Sequence, residues 1–127
     1  MTALMWASYN GEADTARVLV EYGASLEAVD REGMTALMWA SREGQEDTAR
    51  VLVEHGASLE AVDGEGNTAL KFASDYGYRK VAKVLCKHGA RGALWYAAKN
   101  NLRDMLAELI SKGHDLEECD KVHCLCS

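Results

Sequence analysis

The run Thr2-Ala3-Leu4-Met5-Trp6-Ala7-Ser8 returns as Thr35-Ala36-Leu37-Met38-Trp39-Ala40-Ser41 and, more loosely, as Thr68-Ala69-Leu70-Lys71-Phe72-Ala73-Ser74. The interval is 33 residues both times, and residues 1–33 match residues 34–66 at 27 of 33 positions. A fourth copy, Gly92-Ala93-Leu94-Trp95-Tyr96-Ala97, arrives after only 24 residues. Copying at such a period marks units that each bury an apolar face against a neighbour, so the chain reads as a repeat array. Glycine keeps the same grid: Gly11, Gly44 and Gly77, then Asn101; and Gly23, Gly56, Gly89 and Gly113. Asn is the next-best residue for a left-handed backbone, so Asn101 suits a turn position that glycine fills elsewhere.

Each period holds two short helical patterns. In the first, the Thr2 hydroxyl can cap free N–H groups, and Ala3, Leu4 and Ala7 form an apolar stripe that ends at Gly11. In the second, Ala16, Leu19 and Val20 form the inner stripe, with Asp14, Arg17 and Glu21 pointing outward until Gly23. The stretch from Ala28 to Gly33 is too polar and glycine-rich for helix and reads as a tight turn or hairpin.

Two antiparallel helices and a hairpin per 33 residues, opening on T-x-L-x-x-A and closing on Gly-Ala, resemble the ankyrin repeat over residues 1–118. The resemblance implies an all-α repeat solenoid of stacked antiparallel helix pairs joined by β-hairpin-like loops. It also implies a non-enzymatic module that binds a protein or peptide along a concave groove, with hairpins and first-helix ends facing the partner. The family's Thr-Pro-Leu-His is here Thr-Ala-Leu-Met, and Met38 and Lys71 replace the His that helps tie helix to hairpin. The expected units are residues 1–33, 34–66, 67–90 and an abbreviated capping repeat over 91–118, followed by a flexible cysteine-containing tail over 119–127.

Val18, Val51 and Val84 share one register position, where each is expected to pack on the next repeat; in the fourth copy Glu108 stands there, as a terminal cap would require. Met1 falls in register with Met34, with no hairpin before it, so Met5 and Trp6 are expected to lack an upstream neighbour. This end reads as the edge of a longer array, or as an uncapped surface through which an otherwise monomeric chain could associate.

With 127 residues, 48% hydrophobic and 27% charged, the chain can bury a substantial core. No apolar run approaches a membrane span. Three of the four cysteines crowd into the last nine residues, which is no disulfide framework, so an intracellular, cytoplasmic setting is expected, with the nucleus open. A net charge of -6 argues against a nucleic-acid binder. That charge is uneven: -9 over residues 1–66, +7 over 67–103 and -4 over 104–127. Arg79, Lys80, Lys83 and Lys87 form a basic band that either receives an acidic peptide or is a solvated helix face. No phosphate loop, metal-protease helix or nucleophile elbow occurs, so no catalytic set and no cofactor is expected.

Trp6, Trp39, Phe72 and Tyr96 occupy one register position, about 110° from the centre of the apolar stripe. They are either rings sandwiched between stacked helices or a stripe of interface anchors. Residues 1–33 and 34–66 differ only at Tyr9/Arg42, Asn10/Glu43, Glu12/Gln45, Ala13/Glu46, Tyr22/His55 and Arg31/Gly64, mostly at the first-helix end and the turn after it. Such differences reflect drift at exposed sites or selection for a partner. The expected partner-binding residues are therefore Trp6, Tyr9, Asn10, Met34, Trp39, Arg42, Glu43, Phe72, Asp75, Tyr76, Tyr96 and Lys99. A spacer segment within a longer array, with no ligand of its own, is the alternative.

Cys86 takes the register of Val20 and Val53 and reads as a small core hydrophobe. Cys119, His123, Cys124 and Cys126 are spaced too closely to make a good zinc site. Cys124-Leu125-Cys126-Ser127 resembles a prenylation box, and a lipid on Cys124 is the one route to a membrane, opposed by the flanking acids.

Overall fold

A computed structural model of the chain describes residues 1–90 and 92–111. Eight helices occupy the described residues: α1 (Ala3–Asn10), α2 (Ala13–Glu21), α3 (Ala36–Glu43), α4 (Glu46–Glu54), α5 (Ala69–Asp75), α6 (Arg79–Lys87), α7 (Ala93–Lys99) and α8 (Arg103–Ser111). Within each pair the link is too short for anything but reversal, so the two helices run antiparallel. Helices α1, α3 and α5 lie side by side in one layer, and α2, α4 and α6 in a second. The 33-residue period has become a translation from one helix pair to the next.

The local chemistry follows the repeat. Thr2, Thr35 and Thr68 hydroxyls accept from the N–H groups of Met5, Met38 and Lys71 at 3.2, 3.3 and 3.2 Å, each capping a first helix. Gly11 and Gly44 end those helices in left-handed backbone (φ 76° and 74°), and Asn101 adopts φ 56° at the equivalent point of the fourth pair. Gly44 has a second reason to be glycine, because a Cβ there would lie 2.6 Å from the Tyr78 ring of the next pair. Where nine hairpin residues are missing, Gly92 itself takes the left-handed conformation (φ 82°) and precedes α7 with no side-chain cap.

The core is a single spine. Leu4, Leu37, Leu70 and Leu94 are 2, 1, 1 and 6% exposed, and Ala16, Ala49 and Ala82 are fully buried beneath the second layer. Alanine at the inner stripe lets the two layers approach closely, and leucine fills the gaps that remain. Cys86 lies in this core, where burial pushes its thiol up to about 12.

The direction of stacking departs from the sequence reading. Val18 is 50% exposed although α4 packs on α2, whereas Val51 and Val84 are 2 and 6% exposed. This position therefore faces the preceding pair, not the next one. Ala3 and Thr15 behave alike: both are exposed, while Ala36 and Thr48 are buried. Glu108, which shares the register, consequently says nothing about a downstream cap. Met5 also departs from expectation, being 1% exposed and so fully packed, while Trp6 is 54% exposed.

Candidate interaction groove

The hairpin segments form fingers anchored by two aspartates. Asp30 Oδ1 accepts from the N–H groups of Glu32 and Met34 at 2.9 and 3.0 Å, and its Oδ2 accepts from Trp39 Nε1 at 3.1 Å. That indole bond supplies the tie between finger and helix that Met38 cannot make. Burial raises the Asp30 carboxyl, but the bonds from Met34, Glu32 and Trp39 outweigh it and hold the group below the usual carboxylate range. Asp63 repeats the backbone bonds to Glu65 and Asn67, but Phe72 has no donor, so Asn67 Nδ2 donates to Asp63 Oδ2 instead. The fingers are linked through Gly64 N–H, which donates to Glu32 O at 2.9 Å. A Cβ at Gly64 would lie 3.3 Å from that same oxygen, which accounts for glycine where the first copy has Arg31.

Alongside the fingers runs a zigzag of rings and one guanidinium. Trp6 meets Tyr9 edge-on at 6.0 Å between centroids, and Tyr9 meets Trp39 at 5.7 Å. Arg42 lies 5.3 Å over Trp39 and 5.9 Å from the centre of Tyr76, whose ring is 6.4 Å from Phe72. The register rings do not stack directly on each other; side chains from helix ends interleave them. Tyr9 and Arg42, the most conspicuous difference between the two near-identical copies, are two of those interleaving links. Edge-to-face and cation–π contacts of this kind add order ~1 kcal/mol each where water is partly excluded.

Between fingers and zigzag lies an open cleft of about 770 Å³, bordered by Asp30, Arg31, Glu32, Asp63 and Glu65 on one side and Arg42, Phe72 and Tyr76 on the other, so the finger side carries four acids and one base. The finger acids went unnoticed as site residues in the sequence, although the repeated Asp-x-x-Gly of the turns was a usable signal. Asp75 does not line the cleft; it is exposed at the end of α5, 3.6 Å from Lys71. Asn10 is exposed and donates to Trp6 O at 3.1 Å, and Glu43 is half-buried at the end of α3.

Two expected contact residues are largely covered: Met34 and Tyr96 are each 2% exposed, and of the two only Met34 borders the cleft. Tyr96 lost its place in the stripe because the fourth pair has no finger to lean on; burial, and then the nearby Cys86, raises its phenol. Lys99 lies apart from the zigzag, 4.8 Å over Trp95. The variable sites divide as well. Gln45 Nε2 donates to Tyr9 O at 3.1 Å, a bond between pairs that the Glu12 carboxylate could not donate. Glu46 pairs with Arg50 at 3.1 Å, and His55 Nδ1 donates to Val51 O at 2.8 Å. These three differences have structural reasons and need no partner. Cys119, His123, Cys124 and Cys126 lie outside the described residues. Among the described residues no helix is long and apolar enough to cross a membrane.

A family model described as ankyrin repeats in three copies matches residues 1–63, and one described as ankyrin repeat matches residues 65–92. The crystal structure of the human ASB11 ankyrin repeat domain is similar at a TM-score of 0.69 and 23% identity, over 91% of this chain and 56% of that one. That likeness concerns the fold, and this chain spans little more than half of that domain. No curated protein sequence matches the chain. Ankyrin repeats are generally protein–protein interaction modules, and the stacked helix pairs, threonine caps and aspartate-anchored fingers agree with the matched models: the chain belongs to the ankyrin repeat family.

Proposed function

We propose that the chain is a non-enzymatic binding module that holds a protein or peptide segment in the cleft between fingers and first helices. The observation that carries this reading is the Tyr9–Trp39–Arg42–Tyr76 run, whose Arg42 and Tyr76 end lines the cleft together with Phe72. Tyr, Trp and Arg dominate interface energetics: the two rings bury large areas with few rotatable bonds, and the guanidinium stacks on rings and donates in a fixed fork. Here they are already ordered against one another, so a partner pays little for fixing them. The finger wall carries Glu32 and Glu65, both exposed, opposite this stack. The partner segment that fits has an apolar or aromatic side chain for the stack and a cation for the finger acids.

The test replaces two side chains that can be removed without opening the core. Arg42→Ala with Tyr76→Ala removes the Arg42 contacts to Trp39 and Tyr76 and the Tyr76 contact to Phe72, so the melting temperature should fall by several degrees. The fold should stay intact, because Tyr76 is 51% exposed and Arg42 lies at the surface of α3. Quantitative affinity purification from the native cell should then lose the specific partner about tenfold or more, the size of effect expected for truncating interface anchors. Retention of every partner at full yield by a folded double variant contradicts the groove and favours a spacer segment.

A further inference from the structure

The second layer of helices reverses its charge at α6. Helix α4 carries Glu46, Asp47 and Glu54 around one base, Arg50, which pairs with Glu46 at 3.1 Å and Asp47 at 3.5 Å. At the same register α6 has Arg79, Lys80 and Lys87, and Lys83 stands where Arg50 stood. Every acid has become a base and no acid remains in the helix. All four cations are exposed, and none forms an ion pair with another described residue. Arg79 and Lys80 also occupy the first turn, where the helix dipole disfavours positive charge. Lys87, in the last turn, is favoured by that dipole, but neither pairing within the helix nor helix stability accounts for Arg79, Lys80 and Lys83.

The geometry limits what could use this charge. The strip is one helix wide, and from Arg79 to Lys87 it runs about 12 Å at 1.5 Å per residue. The acids of α4 flank it on one side, and Asp104 borders the recess beside Lys83 on the other. A shallow cleft of about 180 Å³ between α4 and α6 is edged by Lys80, Lys83, Lys87 and His88 on the α6 side and by the paired Glu46 and Arg50 on the α4 side. A membrane or a nucleic-acid duplex is wider than this and would meet the -9 of residues 1–66. A single extended chain of four or five residues covers the strip at about 3.3 Å per residue and meets, of those acids, Glu46, whose charge Arg50 already offsets at 3.1 Å.

We infer that the outer face of α6 is a second docking surface, separate from the finger cleft, and that it takes a short acidic segment of a partner protein. Charge complementarity steers that segment and sets its register, with affinity that falls as salt rises.

The probe is a short fluorescent peptide of alternating Glu and Ser, titrated with the full chain and followed by anisotropy. Lys80→Asp with Lys87→Glu restores the residues that Asp47 and Glu54 supply in the sibling helix, so the fold should tolerate both. Binding should be salt-dependent, should weaken about tenfold or more in this double variant, as two lost pairs and two new repulsions imply, and should be unchanged in Tyr76→Ala. Amide shift mapping on the wild-type chain, which needs no variant, should place the peptide on α6. Absence of binding by the wild type, equal affinity in the folded double variant, or shifts confined to the finger cleft would overturn the inference. So would stronger binding to oligothymidylate or to phosphatidylserine vesicles than to the peptide. Because the groove variant enters as a separate arm, failure here leaves the finger-cleft reading standing.

Discussion

Asp30 holds a finger, a helix and a ring with two oxygens. Its lowered pKa means the ionised form is favoured by the fold, so its contribution is complete above the ordinary carboxylate range and is lost as pH falls through the folded value. Asp30→Asn should therefore destabilise by about 1 kcal/mol at neutral pH, the typical loss for weakening charge-assisted bonds. The gap between variant and wild type should close on acidification; chemical denaturation at several pH values checks this, and a gap that widens in acid would be wrong for a depressed group. Thr48 tells the opposite story. Its Oγ1 is buried without a hydrogen-bond partner, while Val81 fills the equivalent place in α6. Thr48→Val should stabilise by about 1 kcal/mol by removing an unsatisfied hydroxyl, seen as a higher denaturation midpoint; a lower midpoint contradicts the assignment. The Asp30 bond to Trp39 was invisible in sequence because it depends on which finger reaches which indole. The threonine caps were legible, since each acts within three residues of itself.

Helices α2 and α4 share the run Asp-Thr-Ala-Arg-Val-Leu-Val-Glu, so any difference between them is imposed by neighbours. Val51→Ala should cost about 1–2 kcal/mol and Val18→Ala under about 0.5, because only Val51 has a preceding pair to pack on. Equal losses at the two sites, measured by thermal or denaturant unfolding, would mean the second-layer helices are not stacked as described. Periodicity made the helices and their inner faces readable, and Leu37, Leu70 and Leu94 do line one spine. It could not give the direction of stacking, since a translation looks the same from either end. Exposure of Val18 beside burial of Val51 breaks that symmetry, and with it goes the reading of Glu108 as a terminal cap.

Across the molecule, the two layers face opposite surroundings. The first layer and its fingers present ordered rings, the Arg42 guanidinium and turns in which acids outnumber Arg31; the second presents a basic strip between acidic neighbours. Register alone put Trp6, Trp39, Phe72 and Tyr96 in one file. Only the fold shows that Trp6 is exposed and Trp39 and Phe72 are half-buried, interleaved by Tyr9, Arg42 and Tyr76, while Tyr96 sinks into the core. The abbreviated fourth unit explains that loss, because a ring without an adjacent finger gains more from burial than from display. The most direct test of the groove is photo-crosslinking from a benzoyl-phenylalanine placed at Tyr76 in the cleft wall or at Tyr22, which is 87% exposed and does not line the cleft. Irradiation in the native cell should give discrete protein adducts from position 76 and none of comparable yield from position 22. Adducts from position 22 alone, or in equal yield from both, would contradict a partner held between the fingers and the first helices.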